Sequence, residues 1–248
     1  IAEITTIKGQ GYHLEVLNPE FLDCWLNKED QLPQTSNERV AYILDDLLNR
    51  SDWVTVDELS EILYVSRKTI SIDLKQAEEF LARFDLRIMR KSHYGIQIGG
   101  TEFNKRLCLA SLVTNEAYSG SCHATVENNE LIADVTKLVV ECVEHHDVSL
   151  NDFAIRNLVI HVVVAINRIK QQCYVAGHIA GKEDSLKRIQ CSYEYSVAQK
   201  LVNCLSSEFD VKFPQTEVAY IAIHLASKKM FKDISESPNL VITDDVFA

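Results

Sequence analysis

The sequence predicts a mainly α chain, a winged helix-turn-helix domain followed by an all-helical bundle. Three observations carry this. Apolar residues recur at helical spacing through most of the 248 positions, and only 8 Gly and 4 Pro punctuate them. Between residues 37 and 98, three helical stretches with a short turn between the last two run into a pair of strands, the order of parts in a winged helix. From residue 130 to 232 the apolar pattern is helical again, broken only at glycines and at Pro214.

The front of the chain is short of a domain. Residues 4–16 read as two strands around Gly9-Gln10-Gly11. Residues 86–98 repeat the arrangement, with alternating apolar residues, a basic position and an aromatic near a glycine. Each copy is followed by Glu-Phe, at Glu20-Phe21 and at Glu102-Phe103. This is an internal repeat whose first copy lacks its front half. Residues 1–36 are therefore expected to be the end of a first winged-helix domain plus a linker, with a short helix over 21–26. The chain opens on Ile1, so a piece of a longer protein is expected.

Residues 37–113 form the complete copy. Val40, Ile43, Leu44, Leu47 and Leu48 share one face of a helix over 37–49. Thr55 and Glu58 are spaced as a capping box, each able to satisfy the other's free amide, and open a short helix that buries Leu59, Ile62 and Leu63. After a tight turn at Tyr64-Val65, Ser66 caps a third helix running to about Phe84. Its inward face is Ile70, Leu74, Ala77, Leu81 and Phe84. In helix-turn-helix proteins the first turns of this helix enter the major groove. Here they carry Ser66, Arg67, Lys68, Thr69, Ser71, Ile72 and Lys75, and the wing adds Arg90 and Lys91. Arg and Lys read guanine edges or hold phosphates, Ser does either, and Ile meets a thymine methyl. From residue 66 to 106 there are nine basic and five acidic side chains, a local excess of four positive charges in a chain of net charge -11. That asymmetry restricts DNA contact to one patch.

Residues 130–232 make the bundle, with helices over 130–145, 150–169, 189–209 and 217–230, and residues 233–248 read as a tail. In the second of these helices Asn157, His161 and Arg168 fall on one line, beside a stripe of Ile155, Leu158, Val162, Ile166 and Ile169. The last helix repeats the motif. Leu158-x-x-His161-Val162 corresponds to Ile221-x-x-His224-Leu225, with Glu217 and Tyr220 in line with His224. On pattern alone, such residues are most often buried, hydrogen-bonded core histidines.

Several classes drop out. Seven dispersed cysteines with no Cys-x-x-Cys fit reduced cytoplasmic thiols rather than a disulfide framework. No apolar run spans a membrane and no signal peptide leads the chain. No nucleophile elbow, phosphate-binding glycine loop or metal-ligand spacing occurs, so no enzyme, cofactor or metal is expected.

Two sets of motifs carry a resemblance. Ser66-Arg67-Lys68-Thr69-Ile70 with Asp73-Leu74, then 94–102 (YGIQIGGTE) with Arg106, resembles the second winged helix of the multidomain sugar-operon activators. Leu150-x-Asp152, His161 with Ala165-Ile166-x-Arg168, and Glu217 with Ile221-Ala222-x-His224 resemble their regulatory domain, the PRD. Val159-Ile160 stand where the family usually has Asp or Thr. The resemblance implies an operator-binding regulator controlled by the sugar phosphotransferase system. His161 and His224 would accept phosphate from the phosphocarrier HPr or a transport EIIB component, Arg168 would be a partner for that phosphate, and the phosphorylation state would set the packing of a homodimer. Two alternatives stay open, an RNA-binding antiterminator with the same regulatory domain and an interaction-only phospho-sensor that does not bind DNA.

Overall fold

The computed structural model describes residues 2–7, 9, 11–18, 33–115, 129–146, 148–174 and 189–226. The expected short helix over 21–26 and the tail over 233–248 lie outside them, as do most of the two linkers and of the loop after residue 174. The chain divides into a first unit, residues 1–34, and a second, residues 35–248.

In the first unit, β1 (Ala2–Ile7) pairs antiparallel with β2 (Gly11–Val16). In the second, β3 (Arg87–Lys91) pairs with β4 (Gly95–Gly99). The two hairpins match in detail. Ile7 pairs with Gly11 and Lys91 with Gly95, so each loop is three residues long, and each second strand begins on a glycine, at φ of 109° and 108°. At Gly95 the need is also steric. A Cβ there would sit 2.1 Å from the Val54 carbonyl oxygen, where Val54 and Ile96 exchange backbone hydrogen bonds and tie the wing to the helices.

The head, residues 35–114, is built from α1 (Ser36–Asn49), α2 (Val56–Ile62), α3 (Arg67–Ala82), the β3–β4 wing and α4 (Glu102–Thr114). The Thr55–Glu58 capping box forms as its spacing predicts. A second one, Thr35–Glu38, opens α1. Ser66 caps α3 and Thr101 caps α4. The turn between α2 and α3 places Tyr64 at φ 51°, a left-handed position occupied here without a glycine. Asp73, on α3, is 1% exposed and accepts from Ser36 Oγ at 2.7 Å and Arg39 Nε at 2.8 Å. That bond set fixes α3 against α1. Asp73→Ala removes the buried acceptor that Ser36 and Arg39 share, and the expected loss is about 3 kcal/mol in urea unfolding.

The bundle consists of α5 (Asn129–His145), α6 (Asp152–Lys170), α7 (Tyr193–Phe209) and α8 (Gln215–Ala226). One boundary departs from expectation. The helix predicted over 189–209 is broken at Cys191-Ser192, because Ser192 turns extended and accepts from the Tyr195 N–H to cap a new helix. α6 is nearly sheathed: every residue from Leu158 to Ile166 is buried. Leu158, Val162 and Ile166 enter the bundle core, while Ile160 and Val164 enter the core of the head. The two cores thus meet through a single helix.

Candidate functional sites

The first candidate site is the outer face of the head. Ser66, Arg67, Lys68, Ser71, Ile72 and Lys75 on α3 and Arg90 and Lys91 on the wing are exposed, with Thr69 half-buried beneath them. Ser66 and Thr69 join hydroxyls at 2.9 Å as part of the cap, and Ser71 donates back to the Arg67 carbonyl at 2.8 Å. Several of the cations already have partners. Arg67 pairs with Asp57 at 2.8 Å, Arg90 with Glu78 at 2.5 Å, and the Lys91 ammonium stands 3.8 Å from the Tyr94 ring centre and 5.9 Å from that of Trp53. These are solvated contacts that a polyanion displaces at little cost. Ile72 is 50% exposed on the same helix, an apolar side chain outside the core.

One correction concerns charge. Arg106, one of the nine basic residues of this stretch, is 3% exposed and faces the bundle. Asp73, one of the five acidic residues, is buried as well, so the excess of four positive charges stands without either of them.

The second site is the histidine pair. α6 and α8 bring His161 and His224 together, with ring centres 4.2 Å apart. Tyr220, one turn before His224, sets its hydroxyl 2.9 Å from His161 Nδ1 and its ring 4.7 Å from that of His224. Phe103 of α4 meets Tyr220 edge-on at 5.4 Å. His161 is 8% exposed and His224 6%, and this chain's own residues cover both. Burial pushes the His161 pKa down to about 4, and burial with the His161 neighbour pushes that of His224 well below its ordinary value. Both rings are neutral at pH 7. Burial raises the Tyr220 hydroxyl far above its ordinary range, so it stays a neutral hydrogen-bonding group.

Beside the rings lies a buried ionic seam that sequence reasoning missed as a unit. Glu102 of α4 takes a two-pronged bond from Arg168, both contacts 2.7 Å, and a third from Arg106 at 3.2 Å. Arg106 also pairs with Glu217 and donates to the Cys173 carbonyl at 2.9 Å. Arg168 donates in addition to the Leu48 carbonyl at the end of α1, at 2.9 Å. Arg168, expected as a phosphate partner, therefore has its guanidinium engaged by Glu102, Leu48 and Gln171 in this state. A signal for the seam was present: Phe103, Arg106, Ala110 and Val113 share one face of α4, so Arg106 belongs to a stripe that packs.

Residues 28–113 match the Mga helix-turn-helix domain and residues 136–228 match the PRD domain. The chain is 28% identical to the probable licABCH operon regulator of Bacillus subtilis over 92% of its own length and 36% of the relative's. It is 25% identical to the transcriptional regulator ManR of the same organism, over 96% of this chain and 37% of ManR. Protein GlcT of Staphylococcus haemolyticus is 30% identical over 38% of this chain and 33% of its own length. The chain spans little more than a third of the two Bacillus relatives.

Proposed function

We propose that this chain, a member of the PRD-containing helix-turn-helix transcriptional regulators, binds the operator of a sugar operon through its head and is controlled by phosphoryl transfer to His161 and His224 from HPr or an EIIB component. The carrying observation is the pairing, in one packed unit, of an exposed cationic recognition helix with two neutral imidazoles in contact across α6 and α8. The whole regulator works as a cytoplasmic homodimer, and the net charge of -11 makes two heads on one operator the economical way to hold DNA.

The chemistry fits neutral rings. In the tautomer that donates its Nδ1 proton to the Tyr220 oxygen, His161 carries a lone pair on Nε2 for attack on phosphorus. The nitrogen–phosphorus bond forms as the donor's bond to phosphorus breaks, and that electron pair stays with the donor. The product brings up to two negative charges into a site that held none on the rings.

Phosphorylated HPr and phosphorylated EIIB, each with labelled phosphate, test the bundle. Label is expected on His161, His224 or both, and absent in the double variant His161→Ala with His224→Ala. An active donor that labels neither ring overturns the reading. A gel shift with operator DNA tests the head. Arg67→Ala with Lys68→Ala is expected to weaken binding at least tenfold and to reduce the salt slope by about one per lost phosphate contact. An unchanged shift would leave an interaction-only sensor, and preferential binding of the leader RNA would favour an antiterminator.

A further inference from the structure

We infer that the histidine pair acts on the seam between α4 and the bundle: a phosphoryl group on either ring cannot coexist with docked α4, so phosphorylation turns head and bundle from one body into two. The inference rests on the phosphorylation reading above and adds where the charge does its work, within a subunit and ahead of any change between subunits.

Geometry places the rings one contact from the seam. His161 and His224 touch Tyr220, Tyr220 touches Phe103, and Phe103 follows Glu102, which Arg106 and Arg168 both hold. Glu217, one turn before Tyr220 on α8, ties Arg106 to the same patch. With ring centres 4.2, 4.7 and 5.6 Å apart, the three aromatic groups leave no room for a tetrahedral group on nitrogen. Something must move, and the choices differ in kind. On the bundle side, α6 and α8 meet through Leu158, Val162, Ile166, Ile221 and Leu225, all core. On the α4 side, the contact nearest the rings is an aromatic edge and a set of ion pairs, with Ile160 and Val164 of α6 packed behind it in the core of the head. The charges regain hydration on exposure, so this edge of the seam gives way before the apolar core that α6 and α8 share.

The seam also has a route to the recognition helix. α1 is held at its end by Arg168 on the Leu48 carbonyl and at its start by Asp73 of α3 on Ser36 and Arg39. Arg168 thus joins Glu102 of α4 to the end of α1, and displacing its guanidinium loosens both, and with them the brace behind the DNA-reading face.

Hydrogen exchange on the full 248-residue chain, read by mass spectrometry before and after treatment with phosphorylated HPr, tests the inference, with stoichiometry taken from intact mass. The α4 amides are expected to exchange at least tenfold faster in the phosphorylated chain, with α5 and α7 unchanged. Both rings are buried when α4 is docked, so variants that loosen the seam without touching the rings raise the population open to the donor and should take phosphate faster. Glu102→Gln and Phe103→Ala are each expected to raise the transfer rate about tenfold. A phosphorylated chain with unchanged α4 protection, or loosened variants that take phosphate no faster, overturns the seam inference and leaves the phosphorylation reading standing. No transfer to wild type or to either variant from an active donor overturns the reading beneath, and the inference with it.

Discussion

Changing Arg106 to Met lowers the stability of the head and bundle together by about 3–5 kcal/mol, out of the roughly 5–15 kcal/mol that keeps a domain folded. Arg106 is 3% exposed and Glu217 1%, so removal of the guanidinium strands a carboxylate where water cannot reach it. Burial already pushes the Glu217 carboxyl above its ordinary value, and Arg106 is what pulls it back. Without Arg106 the folded-state pKa rises further above the unfolded one. A raised carboxyl favours folding below its unfolded pKa and loses that advantage as pH climbs through the folded pKa, so the variant should recover stability in acid relative to wild type. Arg106→Met with Glu217→Leu removes both charges and is expected to restore more than half of the loss. Urea unfolding at pH 7 measures all three chains. Because Ile160 and Val164 of α6 complete the core of the head, wild type should unfold in one transition. Two separated transitions, with Arg106→Met affecting neither by more than about 1 kcal/mol, would show that the seam carries little energy.

The parts of the fold that follow local rules were readable from residues. Thr55 and Glu58 stand three apart before an apolar pattern, and a capping box forms there. The same spacing at Thr35 and Glu38 was equally readable, though the segment passed for linker. Ser192 was harder to see, since its third following residue is Tyr195 and the apolar period runs across the break. What periodicity cannot supply is the identity of the neighbour. It put His161 beside a buried stripe and His224 in a matching place, but a helical wheel does not say that the two rings face each other at 4.2 Å. For the same reason Arg106 and Arg168 read as a surface charge and an anion partner. A cation on a packed face is fixed by the carboxylate opposite, and those carboxylates lie 111 and 66 residues away in sequence.

Acid should weaken the chain in a way that belongs to the histidine pair. His161 titrates at about 4 when folded, against about 6.5 for an unfolded imidazole. Above pH 6.5 the ring is neutral in both states and pH has no leverage through it. As pH falls through 6.5 the unfolded chain takes up a proton that the folded chain refuses, and the loss continues until the folded ring accepts one near pH 4. That window costs about 3 kcal/mol from His161 alone, and His224, shifted the same way, adds to it. Glu217 acts in the opposite sense, since its raised carboxyl is easier to bury once protonated. Tyr220 stays neutral and Arg168 charged throughout, since both are shifted upward. Urea midpoints at pH 7, 6 and 5 should therefore fall more steeply in wild type than in His161→Gln or His224→Gln, and least steeply in the double variant. Equal slopes in all four chains would mean that the rings are hydrated in solution and that α4 does not cover them. The neutrality that makes the pair sensitive to acid also leaves each ring a nitrogen lone pair at pH 7. A protonated imidazole could not attack phosphorus, and a fully exposed one would not report the attack to α4.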